Sequence, residues 1–154
     1  MQESWAMNMP HPPIASPTFR ERCARLLRSE RERQNMSQEE LAVLAGFHRS
    51  YVSHIERAVQ NMSLENVEKL MVALGMLSKD STLSALDRFA TNLRRVRLES
   101  GLSQEKLAEL AGVHRTYVSQ AERRVVSISL DSIEKLAASL GVTEEELVGM
   151  STPE

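Results

Sequence analysis

The segment Ser37 to Ser53 returns almost letter for letter as Ser103 to Ser119. No other feature constrains this chain as tightly. Ser37-Gln38-Glu39-Glu40-Leu41-Ala42 matches Ser103-Gln104-Glu105-Lys106-Leu107-Ala108. Gly46-Phe47-His48-Arg49-Ser50-Tyr51-Val52-Ser53 matches Gly112-Val113-His114-Arg115-Thr116-Tyr117-Val118-Ser119. The offset is 66 residues and holds without a gap from Arg31/Arg97 to Gly75/Gly141. Roughly half the aligned positions are identical, which two unrelated helical segments do not share. The period is too long for a solenoid, so the chain holds two copies of one small domain.

Two units of about 60 residues each sit near the lower limit for a lone hydrophobic core. The copies are therefore expected to lean on each other or on another chain. Cys23 is the single cysteine of the 154 residues, which excludes an intrachain disulfide and suits a reducing compartment. No apolar run approaches the ~20 residues of a membrane span. The segment before Thr18 lacks a basic start and an apolar core, so a secretory signal is not expected and a cytoplasmic location is. The net charge of −2 is nearly neutral. Arginines crowd the start of each unit: Arg20, Arg22, Arg25, Arg28, Arg31 and Arg33, then Arg88, Arg94, Arg95 and Arg97. Acids collect late, at Asp131, Glu134, Glu144, Glu145 and Glu146. The expectation is a basic face opposite an acidic one, suited to one-sided contact with phosphates.

The pattern along the chain is helical throughout. Residues 1–17 read as a flexible, proline-containing tail, 18–76 as the first domain, 77–83 as a linker and 84–150 as the second domain. Thr18/Glu21, Ser37/Glu40 and Thr143/Glu146 are capping-box pairs that open helices. Phe19, Cys23, Leu26 and Leu27 are placed on one inward face, Leu41 and Leu44 on the next, then Val52 with Ile55, then Leu64, Val67, Leu70 and Leu74. The second unit repeats this order and adds a fifth helix around Leu147. The expected class is all-α: two tandem five-helix domains of the lambda-repressor-like type, the first with four helices if its fifth is missing.

The repeated block meets three demands of a helix-turn-helix, in which one helix crosses the phosphate backbone and the next enters the major groove. The turn needs a residue that tolerates positive φ, supplied by Gly46 and Gly112. Close helix packing needs small residues, here Ala42 and Ala108. The start of the groove helix needs hydrogen-bonding side chains, here Arg49-Ser50-Tyr51 and Arg115-Thr116-Tyr117. The run Ser-Gln-Glu-x-Leu-Ala, then Ala-Gly-x-His-Arg-x-Tyr-Val-Ser, then Glu-Arg resembles the Cro/phage-repressor (XRE-type) helix-turn-helix family. Within it, the closing part is most similar to controller proteins of restriction–modification systems.

That resemblance implies roles by position. Arg49, Ser50, Ser53 and His54, with Arg115, Thr116, Ser119 and Gln120, fall where the family reads bases. Gln38, Tyr51 and Arg57, with Gln104, Tyr117 and Arg123, fall where it holds phosphates. Arg31 with Glu56 and Arg97 with Glu122 match positions where an ion pair clamps the first helix to the groove helix. The bland readings weigh against several of these. Tyr51 and Tyr117 pack on their own domain as readily as they reach DNA, and Ser53 and Ser119 more often bond the backbone than a base. His48 and His114 lack partners at metal-ligand spacing. No nucleophile–base set or Gly-rich phosphate loop is present, so neither catalysis, nor a cofactor, nor a small-molecule ligand is expected. The reading is a sequence-specific regulator of transcription, a repressor ahead of an activator, whose partner is double-stranded DNA. The rival reading is an antitoxin-like or adaptor module that binds protein on the same fold. The apolar end Leu147, Val148 and Met150 suggests either closure of the intrachain contact or, narrowly favoured, a homodimer through the C-terminal helix.

Overall fold

The computed structural model describes residues 15–150, so most of the expected tail lies outside the described residues. The elements are α1 Phe19–Arg33, α2 Gln38–Ala45, α3 Arg49–Glu56 and α4 Leu64–Ala73 in the first unit. The second unit has α5 Ala85–Glu99, α6 Gln104–Ala111, α7 Tyr117–Glu122, α8 Leu130–Leu140 and α9 Glu144–Val148. Residues 77–83 carry no helix, and the first unit has four helices where the second has five.

Side-chain caps set most of the starts. Thr18 and Ser37 accept from the N–H of Glu21 and Glu40, whose carboxylates reach back to the cap N–H groups. Each box satisfies two donors that the first helical turn leaves orphaned. Ser84 and Asp87 form a third box, with aspartate in place of glutamate. Thr143 accepts from the Glu146 N–H and caps α9.

The two units meet face to face. Ser63 and Ser129, which occupy equivalent positions, pair as an antiparallel bridge. The Leu64 N–H donates to the Ile128 carbonyl at 2.7 Å, and the Leu130 N–H donates to the Met62 carbonyl at 2.9 Å. Those two bonds exchange under the 66-residue offset, so a pseudo-two-fold axis passes between them. The same axis relates two longer-range contacts. The Phe19 N–H donates to Glu134 Oε1 at 3.1 Å, and the Ala85 N–H donates to Glu68 Oε1 at 2.8 Å. Each unit thus places a carboxylate at the N-terminus of the other unit's first helix, where orphan donors and the helix dipole favour negative charge. α1 packs on α8 and α5 on α4. Met62, Ile128, Leu64 and Leu130 are fully or almost fully buried, and one apolar core runs through both units. The small size of each unit is answered inside the chain.

Several expectations are corrected by this arrangement. Leu44 is 61% exposed, because the inward face of the short α2 is set by Leu41 and Ala42 with Ala45 beside them. Leu26 is 48% exposed. Its counterpart Asn92 donates to the carbonyls of Glu146 and Leu147 in α9, a helix the first unit lacks. Cys23 packs against the core, and burial pushes its thiol up to about 12. Leu147 and Val148 are buried against α5 and α8, so the apolar end expected to pair two chains is already covered within one. The basic and acidic groups do not stand on opposite faces. Arg20 pairs with Asp131, and Arg22 with Glu144 and Glu145, across the junction of the units. Arg28 and Arg33 pair with Glu32 and Glu30 on their own helix.

Because the core is continuous, damage at the junction reaches both units. Ile128→Ala removes a fully buried side chain beside the bridge and is expected to cost about 2–5 kcal/mol. The check is urea unfolding followed by circular dichroism. One shifted cooperative transition is expected, rather than loss of one unit alone.

Candidate nucleic-acid interface

Each unit builds its reading surface in the same way. α2 ends at Gly46 with φ of +75°, and α6 at Gly112 with φ of +67°. An L side chain is strained at these angles, so glycine serves as the stop of both helices. The Phe47 and Val113 N–H groups close the turns on the carbonyls of Ala42 and Ala108 at 2.8 and 3.0 Å. Ala42 and Ala108 are buried where α2 meets α3 and α6 meets α7.

The groove helix is fixed from behind. Arg31 donates to both carboxylate oxygens of Glu56, at 2.5 and 2.9 Å, and to the Met36 carbonyl at 2.7 Å. Arg97 repeats this on Glu122, at 2.6 and 3.1 Å, and on the Leu102 carbonyl at 2.9 Å. These side chains are 3–11% exposed. A fork-shaped guanidinium gripping a carboxylate fixes both distance and orientation. The first helix therefore sets where α3 and α7 end.

A third member was missed in the sequence. Gln38 Nε2 donates to Glu56 Oε2 at 2.9 Å, and Gln104 Nε2 donates to Glu122 Oε2 at 2.7 Å. The expected phosphate-holding glutamines are thus tied into the clamp. An amide nitrogen carries two hydrogens, so one is left over from the clamp. The identical spacing of glutamine and glutamate in both copies was the available signal. In Glu56, burial pushes the carboxyl upward, but hydrogen bonds from Arg31 and Gln38 and the charge of Arg31 outweigh it. The group is held below the ordinary carboxylate range.

With Val52, Ile55 and Glu56 turned inward, Arg49, Ser50 and Arg57 stand exposed, and Ser53 and His54 are half-buried between them. In the second unit Arg115, Thr116 and Arg123 are exposed, with Ser119 and Gln120 half-buried. The fourteen expected residues fall into two such clusters, one per unit. Arg57 and Arg123 lie over the last turn, each donating to a backbone carbonyl, Ser53 or Ser119. The tyrosines pack on their own units. Tyr51 packs on the core, stacks on Phe47 with centroids 4.7 Å apart, and accepts a bond from Asn66 at 2.8 Å. Its hydroxyl hydrogen stays free to donate. Tyr117 also packs on the core, but Val113 and Ser132 stand where Phe47 and Asn66 do. The second groove helix begins at Tyr117 instead of Arg115, leaving Arg115 and Thr116 in the turn ahead of it. Among the described residues no cluster of three or more metal-ligating side chains occurs, and no helix is long and apolar enough to cross a membrane.

The model of a family described as Helix-turn-helix matches residues 27–80 and again 93–147. The chain belongs to the helix-turn-helix family. Within this family it is a DNA-binding transcriptional regulator. Control protein C.BamHI of Bacillus amyloliquefaciens is 45% identical over 65 residues, 42% of this chain and 80% of that protein. A hypothetical transcription factor of Neisseria meningitidis serogroup B is 49% identical over 59 residues, 38% of this chain and 56% of that protein. Control protein C.SmaI of Serratia marcescens is 39% identical over 59 residues, 38% of this chain and 70% of that protein. The crystal structure of hypothetical transcription factor NHTF from Neisseria aligns at 45% identity, over 42% of this chain and 74% of that one, with a TM-score of 0.41. Each matched length is about one repeat.

The clamp makes two measurable demands. Arg31→Ala leaves the Glu56 carboxylate buried and short of its main partner, at an expected cost of about 3–5 kcal/mol. Gln38→Ala removes a bond to a charged group and is expected to cost about 1.5–3 kcal/mol. Urea unfolding checks both. The depressed carboxyl of Glu56 also gives a pH signature. Its stabilisation is full above the unfolded-state value of about 4.3 and is lost as pH falls through its lower folded-state value. Glu56→Gln is therefore expected to show a shallower loss of stability below about pH 4 than the wild type.

Proposed function

We propose that one chain acts as a complete two-headed reader of an inverted-repeat operator, and that it represses transcription by occupying that site. The reciprocal pairing of Ser63 with Ser129 carries this reading. Equivalent residues paired antiparallel make the units two-fold related, and two-fold related groove helices match half-sites of opposite direction. A single-unit protein needs two chains to present two readers. Here the second reader is covalently present, so its local concentration does not depend on the amount of protein.

Arg49 and Arg115 are the base-reading arginines in this reading, with forks suited to guanine O6 and N7. Ser50, Ser53 and His54, with Thr116, Ser119 and Gln120, complete the two reading surfaces. Gln38, Tyr51 and Arg57, with Gln104, Tyr117 and Arg123, hold the flanking phosphates and fix the register. Relatives named as control proteins and a transcription factor support the regulatory role. The adaptor reading is disfavoured because both copies keep an exposed arginine and an exposed hydroxyl residue at or just before the start of the groove helix. A homodimer through the C-terminal helix is disfavoured by the burial of Leu147 and Val148.

Selection from random duplexes is the direct test. An inverted repeat with half-site centres about one helical turn, 34–36 Å, apart is the expected outcome. A direct repeat, or no enrichment, would overturn the reading. Light scattering is expected to give one chain per operator, with the free protein monomeric at micromolar concentration. Arg49→Ala and Arg115→Ala are each expected to weaken operator binding by about 1–3 kcal/mol and to relax preference in one half-site. Titration against the selected duplex and its point variants measures both effects.

A further inference from the structure

The two readers are not equal. At the 66-residue offset Arg49/Arg115, Ser53/Ser119 and Arg57/Arg123 are identical, but Ser50 is replaced by Thr116 and His54 by Gln120. In α3 these two positions lie four residues apart, on one face of the helix and one turn from each other. Both are on the side turned away from Val52 and Ile55, so the differences fall on the reading surface and not behind it.

The local structure separates the units further. Arg49 is the first residue of α3, and no ion pair engages it among the described residues. Arg115 and Thr116 precede α7. The Thr116 hydroxyl lies 2.9 Å from His114 Nδ1, which also takes the Thr116 N–H at 3.3 Å. The Arg115 guanidinium lies 3.4 Å from the Glu105 carboxylate. Arg115 and Thr116 thus have side-chain neighbours that Arg49 and Ser50 lack among the described residues.

We propose that the operator has unequal arms and that the chain binds it in one fixed orientation, with Ser50/Thr116 and His54/Gln120 deciding which unit takes which arm. This rests on the reading of the chain as a two-fold, two-headed DNA binder. The side-chain chemistry names the difference. A glutamine amide presents a donor and an acceptor side by side, the complement of adenine N6 and N7. An imidazole edge cannot present both together. Its N–H is a single donor, suited to an acceptor such as guanine N7 or O6. A threonine methyl packs on the thymine C5-methyl, which a serine at the same place cannot do. The arm under the second unit thus carries an adenine facing Gln120 and a thymine beside Thr116. The arm under the first unit carries guanine opposite His54. Because the readers share one chain, neither arm can recruit a second copy of its preferred unit.

The test is selection from random duplexes with three proteins: wild type, the double variant S50T/H54Q, and the reciprocal T116S/Q120H. Ser50 and Thr116 are exposed and His54 and Gln120 half-buried, so a circular dichroism melt checks that each variant folds. Wild type is expected to select an inverted repeat whose arms differ. S50T/H54Q is expected to select two adenine-bearing arms, and T116S/Q120H two guanine-bearing arms. In competition, wild type is expected to prefer the unequal operator over either symmetric one by about 5–100-fold, the effect of one or two mismatched base pairs. Identical arms selected by wild type would overturn the proposal while leaving the two-headed reading intact. So would folded variants that keep the wild-type arms. No enrichment with any protein would overturn both.

Discussion

The pairing of Ser63 with Ser129 is the constraint on which the rest of the molecule depends. It is a small contact, two backbone hydrogen bonds between loops that precede α4 and α8. Its consequence is geometric. An antiparallel pair between equivalent residues fixes a two-fold relation between everything attached to them. Around it Met62 and Ile128 are fully buried, Glu68 and Glu134 cap helices of the opposite unit, and the cores merge. Buried backbone donors and acceptors must be paired, and here each unit supplies the partners of the other. A unit of about 60 residues that would be marginal alone gains the missing burial from its twin.

The second constraint acts within each unit. A groove helix of six or eight residues is too short to hold its place by its own hydrogen bonds. Arg31 and Arg97 supply the rigidity by bridging their own loop carbonyls to the carboxylates of Glu56 and Glu122. Gln38 and Gln104 extend the clamp to the start of the supporting helix. Supporting helix, groove helix and first helix are thereby joined through one carboxylate. Any contact made through the remaining amide hydrogen of Gln38 is therefore coupled through Glu56 to the end of α3.

The largest break in symmetry is at α9. α9 packs on α5 and α8 in the second unit, and residues 77–83 take its place in the first. The cost is visible at Leu26, left half in water where Asn92 meets α9. The gain is a connection between units, and a set of acids at Glu144 and Glu145 that meets Arg22 across the junction. Charges that composition suggested would spread over two faces are largely neutralised against each other.

Much was legible in the sequence, because local rules carry local facts. The doubled motif set the number of units. The Thr18/Glu21 and Ser37/Glu40 boxes set helix starts, Gly46 and Gly112 set the turns, and Arg31/Glu56 and Arg97/Glu122 paired as their positions implied. Each depends on residues close in sequence or on a spacing written twice. Leu26 and Leu44 were misplaced because periodicity gives a face but not what stands opposite it. The relation between the units was decided only by tertiary structure. A repeat in sequence is compatible with translation or with rotation, and no residue pattern distinguishes them. The choice belongs to a bridge between Ser63 and Ser129, 66 residues apart, in segments with no strand pattern of their own. It forms because two loops with backbone groups to pair meet over a shared apolar core, and that meeting exists only in the tertiary structure.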